Sequence, residues 1–129
     1  LTTAAPVGRL KRRPEFLRVA ERGLRAATPG LVLQALPRPE GADGGGIRLG
    51  LTASRKVGGA VERNRARRRL RALAQEVLPR MGAPGHDYVI VARRETVKRE
   101  WLRLKEDLES ALRRVARDDA PRPRRGGAR

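Results

Sequence analysis

The chain has 129 residues and carries 31 Lys and Arg against 14 Asp and Glu, a net charge of +17. It suits one domain of ordinary size, and with a single Phe, Trp, Tyr and Met its core must come from Leu, Val and Ala, which argues against a deep aromatic-lined ligand pocket. Cys is absent, so a disulfide scaffold, a Cys-ligated zinc site and thiol catalysis are excluded.

Residues 1–12 read as a loose start, with Pro6 and Gly8. From Arg13 a short helix begins. Pro14 sits where its missing N–H is harmless, Phe16, Val19 and Ala20 share a face, and Gly23 is the stop. Thr28-Pro29-Gly30 is a turn, and residues 31–36 read as a strand. Residues 37–46, rich in Gly and Pro, form a flexible surface loop. Residues 47–52 alternate as a second strand, antiparallel to the first.

A long helix is expected over residues 60–78, ended by Pro79, with Ala66, Leu70, Leu73, Ala74 and Val77 on one stripe. Residues 88–92 are an apolar, β-branched run that suits a buried central strand. Residues 94–117 read as the last helix, with Thr96 as N-cap and Trp101, Leu104, Leu108, Leu112 and Val115 on its buried stripe. Residues 118–129 carry no large apolar side chain and read as a disordered basic tail behind a domain of residues 1–117. The expected fold class is α+β, a single-domain, two-layer sandwich of a small mixed sheet and helices. No apolar run approaches the ~18 residues of a membrane span, and no signal-peptide pattern is present, so a cytoplasmic location is expected.

Charge is densest from Arg55 to Arg71, where eight cations (Arg55, Lys56, Arg63, Arg65, Arg67, Arg68, Arg69, Arg71) face Glu62 alone. An ordinary solvated helix mixes signs, whereas here like charges repel with almost no compensation, and phosphate is the obvious counter-charge. A helical projection turns Arg68 away from the apolar stripe with Asn64 and Arg65 beside it. It brings Arg63 and Arg67 nearer the apolar edge, where they must snorkel or bond to the protein.

The run Ser54-Arg55-Lys56-Val57-Gly58-Gly59-Ala60-Val61-Glu62-Arg63-Asn64-Arg65, continued by Arg67, Arg68 and Arg71, resembles the signature of the bacterial ribonuclease P protein subunits. Arg9-Leu10-Lys11, Glu15-Phe16, Gly23 and the run from Asp87 to Arg93 match as well, so the resemblance covers about residues 9–115. It implies a left-handed βαβ crossover around the Arg-Asn-Arg helix and one short strand that the pattern does not locate. It implies a partner RNA that cleaves precursor tRNA with Mg²⁺, leaving this chain no cofactor of its own. Carried over by position, Arg55, Lys56, Arg63, Asn64, Arg65, Arg67, Arg68 and Arg71 would face the RNA subunit. Phe16 would be the aromatic of a cleft for the precursor's 5′ leader, with Val32, Gln34, Lys11, Arg12 and Arg13 around it. Many members place further aromatics where this chain has Ala20 and Gln34. Phe16 also fits a core position.

The reading that competes is a structured-RNA-binding protein of ribosomal type with no part in cleavage. A DNA-binding protein would want more base-reading side chains on its helix than Asn64, and no dimerisation stripe points to an obligate protein partner. Catalysis by the chain itself lacks a site. His86 has no partner His or Cys, and Glu106, Asp107 and Glu109 fall on an exposed helix face while Asp118 and Asp119 lie in the tail.

Overall fold

The structure is a computed structural model that describes residues 7–39 and 45–119. Its elements run β1 (Val7–Arg9), α1 (Arg13–Arg22), β2 (Leu24–Ala27), β3 (Leu31–Pro37), β4 (Ile47–Thr52), α2 (Ala60–Met81), β5 (His86–Ala92), a 3-10 turn (Arg94–Val97) and α3 (Trp101–Asp119). The five strands form one mixed sheet in the order β1-β4-β5-β3-β2.

The period-2 pattern of each strand decides what each face of the sheet meets. Leu31, Leu33 and Ala35 of β3, Ile47 and Leu49 of β4, and Tyr88, Ile90 and Ala92 of β5 point to one side. There they join Leu70, Leu73, Ala74, Val77 and Leu78 of α2 and Leu104, Leu108, Ala111, Leu112 and Val115 of α3 in the main core. Val89 and Val91 point to the other side, where Leu10, Phe16 and Val19 pack against Val89 in a second, small cluster. Thus α2 and α3 cover one face and α1 covers part of the opposite one.

The α+β class and the mixed sheet are as expected, and several details differ. The strands expected at 31–36 and 47–52 are present and run in opposite directions, but they are not neighbours. β5 lies between them, antiparallel to β3 and parallel to β4. A buried apolar strand is more stable at the centre of a sheet, bonded on both sides, than beside one edge. Two strands escaped the sequence reading. β1 has three residues and β2 four, and each exists only as an edge partner, β1 parallel to β4 and β2 antiparallel to β3.

Pro79 does not end α2. The helix continues to Met81 because Leu78 is fully buried and Met81 packs on the core, while the Gly82 N–H closes the last turn on the Leu78 carbonyl at 2.7 Å. The last helix starts at Trp101, not at residue 94. Thr96 does not cap it: its buried hydroxyl accepts the Arg93 N–H at 2.9 Å within the 3-10 turn and donates to the Gly30 carbonyl, tying that turn to the start of β3. Asp107 is buried rather than exposed, paired with Arg99. α3 extends two residues into the stretch expected as tail, and residues 120–129 lie outside the described residues. So do residues 40–44 of the loop expected over 37–46, whose described part includes a buried Arg38. No helix among the described residues is long and apolar enough to cross a membrane.

Candidate nucleic-acid interface

The entry to α2 is built for a sharp turn. The Val57 and Gly58 N–H groups donate to the Ser54 and Arg55 carbonyls, and Gly58 takes φ +145°, a conformation that side-chain-bearing residues rarely adopt. Glu62 accepts the Gly59 N–H at 3.0 Å, so the one acid of the basic segment serves as an N-terminal cap. With Ala66, Leu70 and Leu73 buried against the sheet, the rotation of α2 is set. Asn64, Arg65, Arg68 and Arg71 are exposed, Arg63 and Arg67 are half-buried, and Arg55 and Lys56 are exposed on the preceding turn. Arg67 donates to Asn64 Oδ1 at 2.9 Å, which pairs these two side chains along the helix surface.

Arg69 is the exception in the run. Its guanidinium donates to the carbonyls of Thr96, Val97 and Arg99 and lies 5.8 Å from the centroid of the Trp101 ring. These carbonyls lie at the end of the 3-10 turn and in the link to α3, so Arg69 locks α2 to the start of α3 and is not a surface cation. Trp101 is half-buried and packs on the main core under it, as the stripe reading expected.

Phe16 is half-buried on the opposite face of the sheet. Its ring rests on Gly50 of β4: a Cβ there would come within 2.7 Å of Phe16 Cζ, so only glycine admits the ring. Beyond Gly50 the ring borders a groove whose other wall is α2, lined by Arg67, Arg71 and Gln75 along with Gly8, Arg9, Leu10, Leu49 and Leu51. β1 is too short to pair with Gly50 and Leu51. Past its end, α1 on one face and α2 on the other share a single groove. Arg67 and Arg71 therefore stand beside Phe16, a juxtaposition that helix projection alone does not reveal.

A second, wider groove of about 720 Å³ lies on the same face of the sheet. Val32, Val91 and Ala27 line it, Arg25, Lys56, Arg93 and Arg94 supply its cations, and Glu95 is its single acid. Val32 therefore belongs to this groove. Gln34, half-buried and paired across the ladder with Arg25 and Val89, shares the face but lines neither groove. Lys11, Arg12 and Arg13 are exposed at the N-terminus of α1 and line neither groove either. Arg25, Arg93 and Arg94 were missed in the sequence because their roles depend on the edge strand β2 and on the turn after β5.

Beneath Phe16 runs a chain of ions. Glu15 Oε1 accepts the N–H groups of Lys11 and Arg12 at 2.9 and 3.0 Å, and its other oxygen meets Arg48 at 3.1 Å. Arg48 also forks onto both oxygens of Asp87 at 2.8 Å, and Arg38 reaches Asp87 at 2.7 Å. Asp87 is 1% exposed. Burial pushes its carboxyl up, but the hydrogen bonds and charges of Arg48 and Arg38 outweigh burial and hold it below the ordinary carboxylate range. Glu15 is lowered as well, first by the Arg12 and Lys11 N–H groups and then by Arg48.

Comparison with known proteins decides between the two RNA-binding readings. The family model for ribonuclease P matches residues 6–116. The chain belongs to the ribonuclease P protein family. It is 48% identical over 114 residues to the ribonuclease P protein component of Paramagnetospirillum magneticum, covering 87% of this chain and 85% of that one. It is 47% identical over 110 residues to the corresponding component of Caulobacter vibrioides, covering 85% and 72%. In fold it is similar to the ribonuclease P protein of Thermotoga maritima, with a TM-score of 0.69 and 24% identity, over 83% of this chain and 96% of that one. As a ribonuclease P protein it is a subunit of a tRNA-processing ribonucleoprotein endoribonuclease, whose catalysis in bacteria is carried by the partner RNA.

Among the described residues no group of three or more His, Cys, Asp or Glu is placed to hold a metal ion. Of the carboxylates near the basic surfaces, Glu62 caps α2, Glu15 and Asp87 are tied to arginines, and Glu95 is the single acid lining its groove. Among the described residues, these carboxylates do not fit a Mg²⁺ site.

Proposed function

We propose that the chain serves ribonuclease P by gripping two RNA elements at once. The cations of α2 and its preceding turn, Arg55, Lys56, Arg63, Arg65, Arg67, Arg68 and Arg71 with Asn64, hold the catalytic RNA through its phosphates. The face of the sheet beside α1 holds the single-stranded 5′ leader of precursor tRNA. Phe16 offers a ring for base stacking, worth about 1–3 kcal/mol per base. Val32 lies in the floor of the second groove, Gln34 flanks it with a hydrogen-bonding amide, and Lys11, Arg12 and Arg13 supply charge at the helix start. Mg²⁺ serves the RNA and not this chain.

The observation that carries the reading is the groove in which Phe16 of α1 faces Arg67 and Arg71 of α2. An aromatic ring next to two arginines supports this reading, since it suits a protein that presents a leader to a catalytic RNA.

The test is a cleavage assay at low Mg²⁺ with the protein, its cognate RNA and a precursor tRNA, each omitted in turn. The binding of precursors with long and trimmed leaders is compared alongside. The expected result is cleavage that needs the RNA and is stimulated by the protein, with tighter binding of the long-leader precursor. Equal binding of both precursors would remove the leader from the sheet face.

A further inference from the structure

We propose that Arg48, bridging Glu15 to Asp87, is the positioning residue of the Phe16 cleft. The inference rests on the reading of that cleft as the leader site. α1 is a ten-residue helix that contributes only Val19 to the fully buried set. Little apolar surface therefore decides where it lies on the sheet. The ion chain adds the missing definition. Glu15 is adjacent to Phe16 and closes the first turn of α1 by accepting the Lys11 and Arg12 N–H groups. Through Arg48 of β4 the same carboxylate is fastened to Asp87 at the start of β5, and Arg38 from the end of β3 holds Asp87 from the other side. One end of the chain is a buried carboxylate between two strands of the sheet, and the other is the helix turn that carries the ring.

The placement matters because the room under Phe16 is so small. The ring sits where Gly50 leaves out a Cβ, and Arg48 and Gly50 project from the same face of β4, two residues apart. A shift of the first turn of α1 lifts the ring off Gly50 and alters the groove that it shares with Arg67 and Arg71. Arg48 is itself half-buried and lines neither groove, so its effect on RNA must pass through the helix.

The experiment is a double-mutant cycle on the assembled RNA–protein enzyme. Arg48→Met keeps the aliphatic stem of the side chain without its guanidinium, leaves Glu15 free to cap α1, and leaves Asp87 paired with Arg38. Phe16→Ala removes the ring. The readout is the ratio of affinities for precursor tRNA with a long leader and with the leader trimmed to one nucleotide, measured beside the protein's affinity for the RNA subunit. A role confined to stability moves neither the ratio nor its coupling to Phe16.

The expected result is that each single variant lowers the ratio about tenfold, as loss of one stacked base does. The double variant is then no worse than Phe16→Ala, and affinity for the RNA subunit is unchanged. Should Arg48→Met prove too unstable, Glu15→Gln keeps an acceptor for the two N–H groups while removing the charge that faces Arg48, and the same cycle applies. If Phe16→Ala lowers the ratio and Arg48→Met does not, or if the two losses multiply, the positioning role is overturned while the cleft reading stands. If Phe16→Ala leaves the ratio unchanged, the cleft reading itself falls, and the positioning role with it.

Discussion

Asp87 shows how a basic protein uses one of its few acids. Two arginines converge on it, and removing the carboxylate leaves the charge of the buried Arg38 uncompensated inside the fold. Asp87→Asn leaves the buried Arg38 facing a neutral amide, and breaking a buried pair in this way costs on the order of 3–5 kcal/mol. The expected outcome is a clear fall in Tm by calorimetry. Because Asp87 and Glu15 are both held below the ordinary carboxylate range, the stability they add is complete above their unfolded values near pH 4. It is lost as pH falls through the lower native values. Tm should therefore hold through mildly acidic pH, so far as these groups govern it, and drop below about pH 4. Asp87→Asn should flatten that drop. A drop of equal size in the variant would assign acid unfolding to other groups.

At the scale of the element, α2 separates cations that sit side by side in sequence. Arg68 is exposed and Arg69 is engaged by three carbonyls and the Trp101 ring. Arg68→Ala should weaken RNA binding and lower the salt slope by about one unit, with Tm unchanged. Arg69→Ala should lower Tm, since hydrogen bonds from a charged group contribute about 1.5–3 kcal/mol, and should weaken RNA binding only as far as α2 shifts. Equal effects of the two on the salt slope would contradict this division.

The outward face of α2 was legible because 3.6-residue periodicity and an apolar stripe orient a long helix from sequence alone. The inward turn of Arg69 was not, since it depends on carbonyls about 30 residues away. The same limit hid β1 and β2. Three or four residues hold no period of their own, and edge pairing makes them strands. The site divided in the same way. The α2 cations stood out by residue type and spacing and Phe16 by the family resemblance alone, whereas their shared groove depends on β1 ending before Gly50. The Arg38–Asp87–Arg48–Glu15 chain joins four segments and leaves no local pattern at all.

For the whole molecule, the question is where the +17 charge goes. The ion pairs of the fold engage Arg38, Arg48, Arg80, Arg99 and Lys105, among others, whereas the seven cations proposed to face the catalytic RNA form no salt bridge among the described residues. Unpaired like charge on one face opposes compaction and is relieved when phosphate arrives. If each of the seven neutralises one phosphate, the logarithm of the RNA affinity should fall with the logarithm of salt concentration at a slope of about −5 to −6. Truncation after Asp119 provides the control. It removes four arginines, Arg122, Arg124, Arg125 and Arg129, but no residue of the buried stripe of α3, which ends at Val115. The truncated chain should keep its Tm and the same slope, because its α2 surface is intact. A slope shallower by about four units would place the main RNA contact in the C-terminal segment. An unchanged slope, joined to the one-unit loss in Arg68→Ala, would locate it on α2.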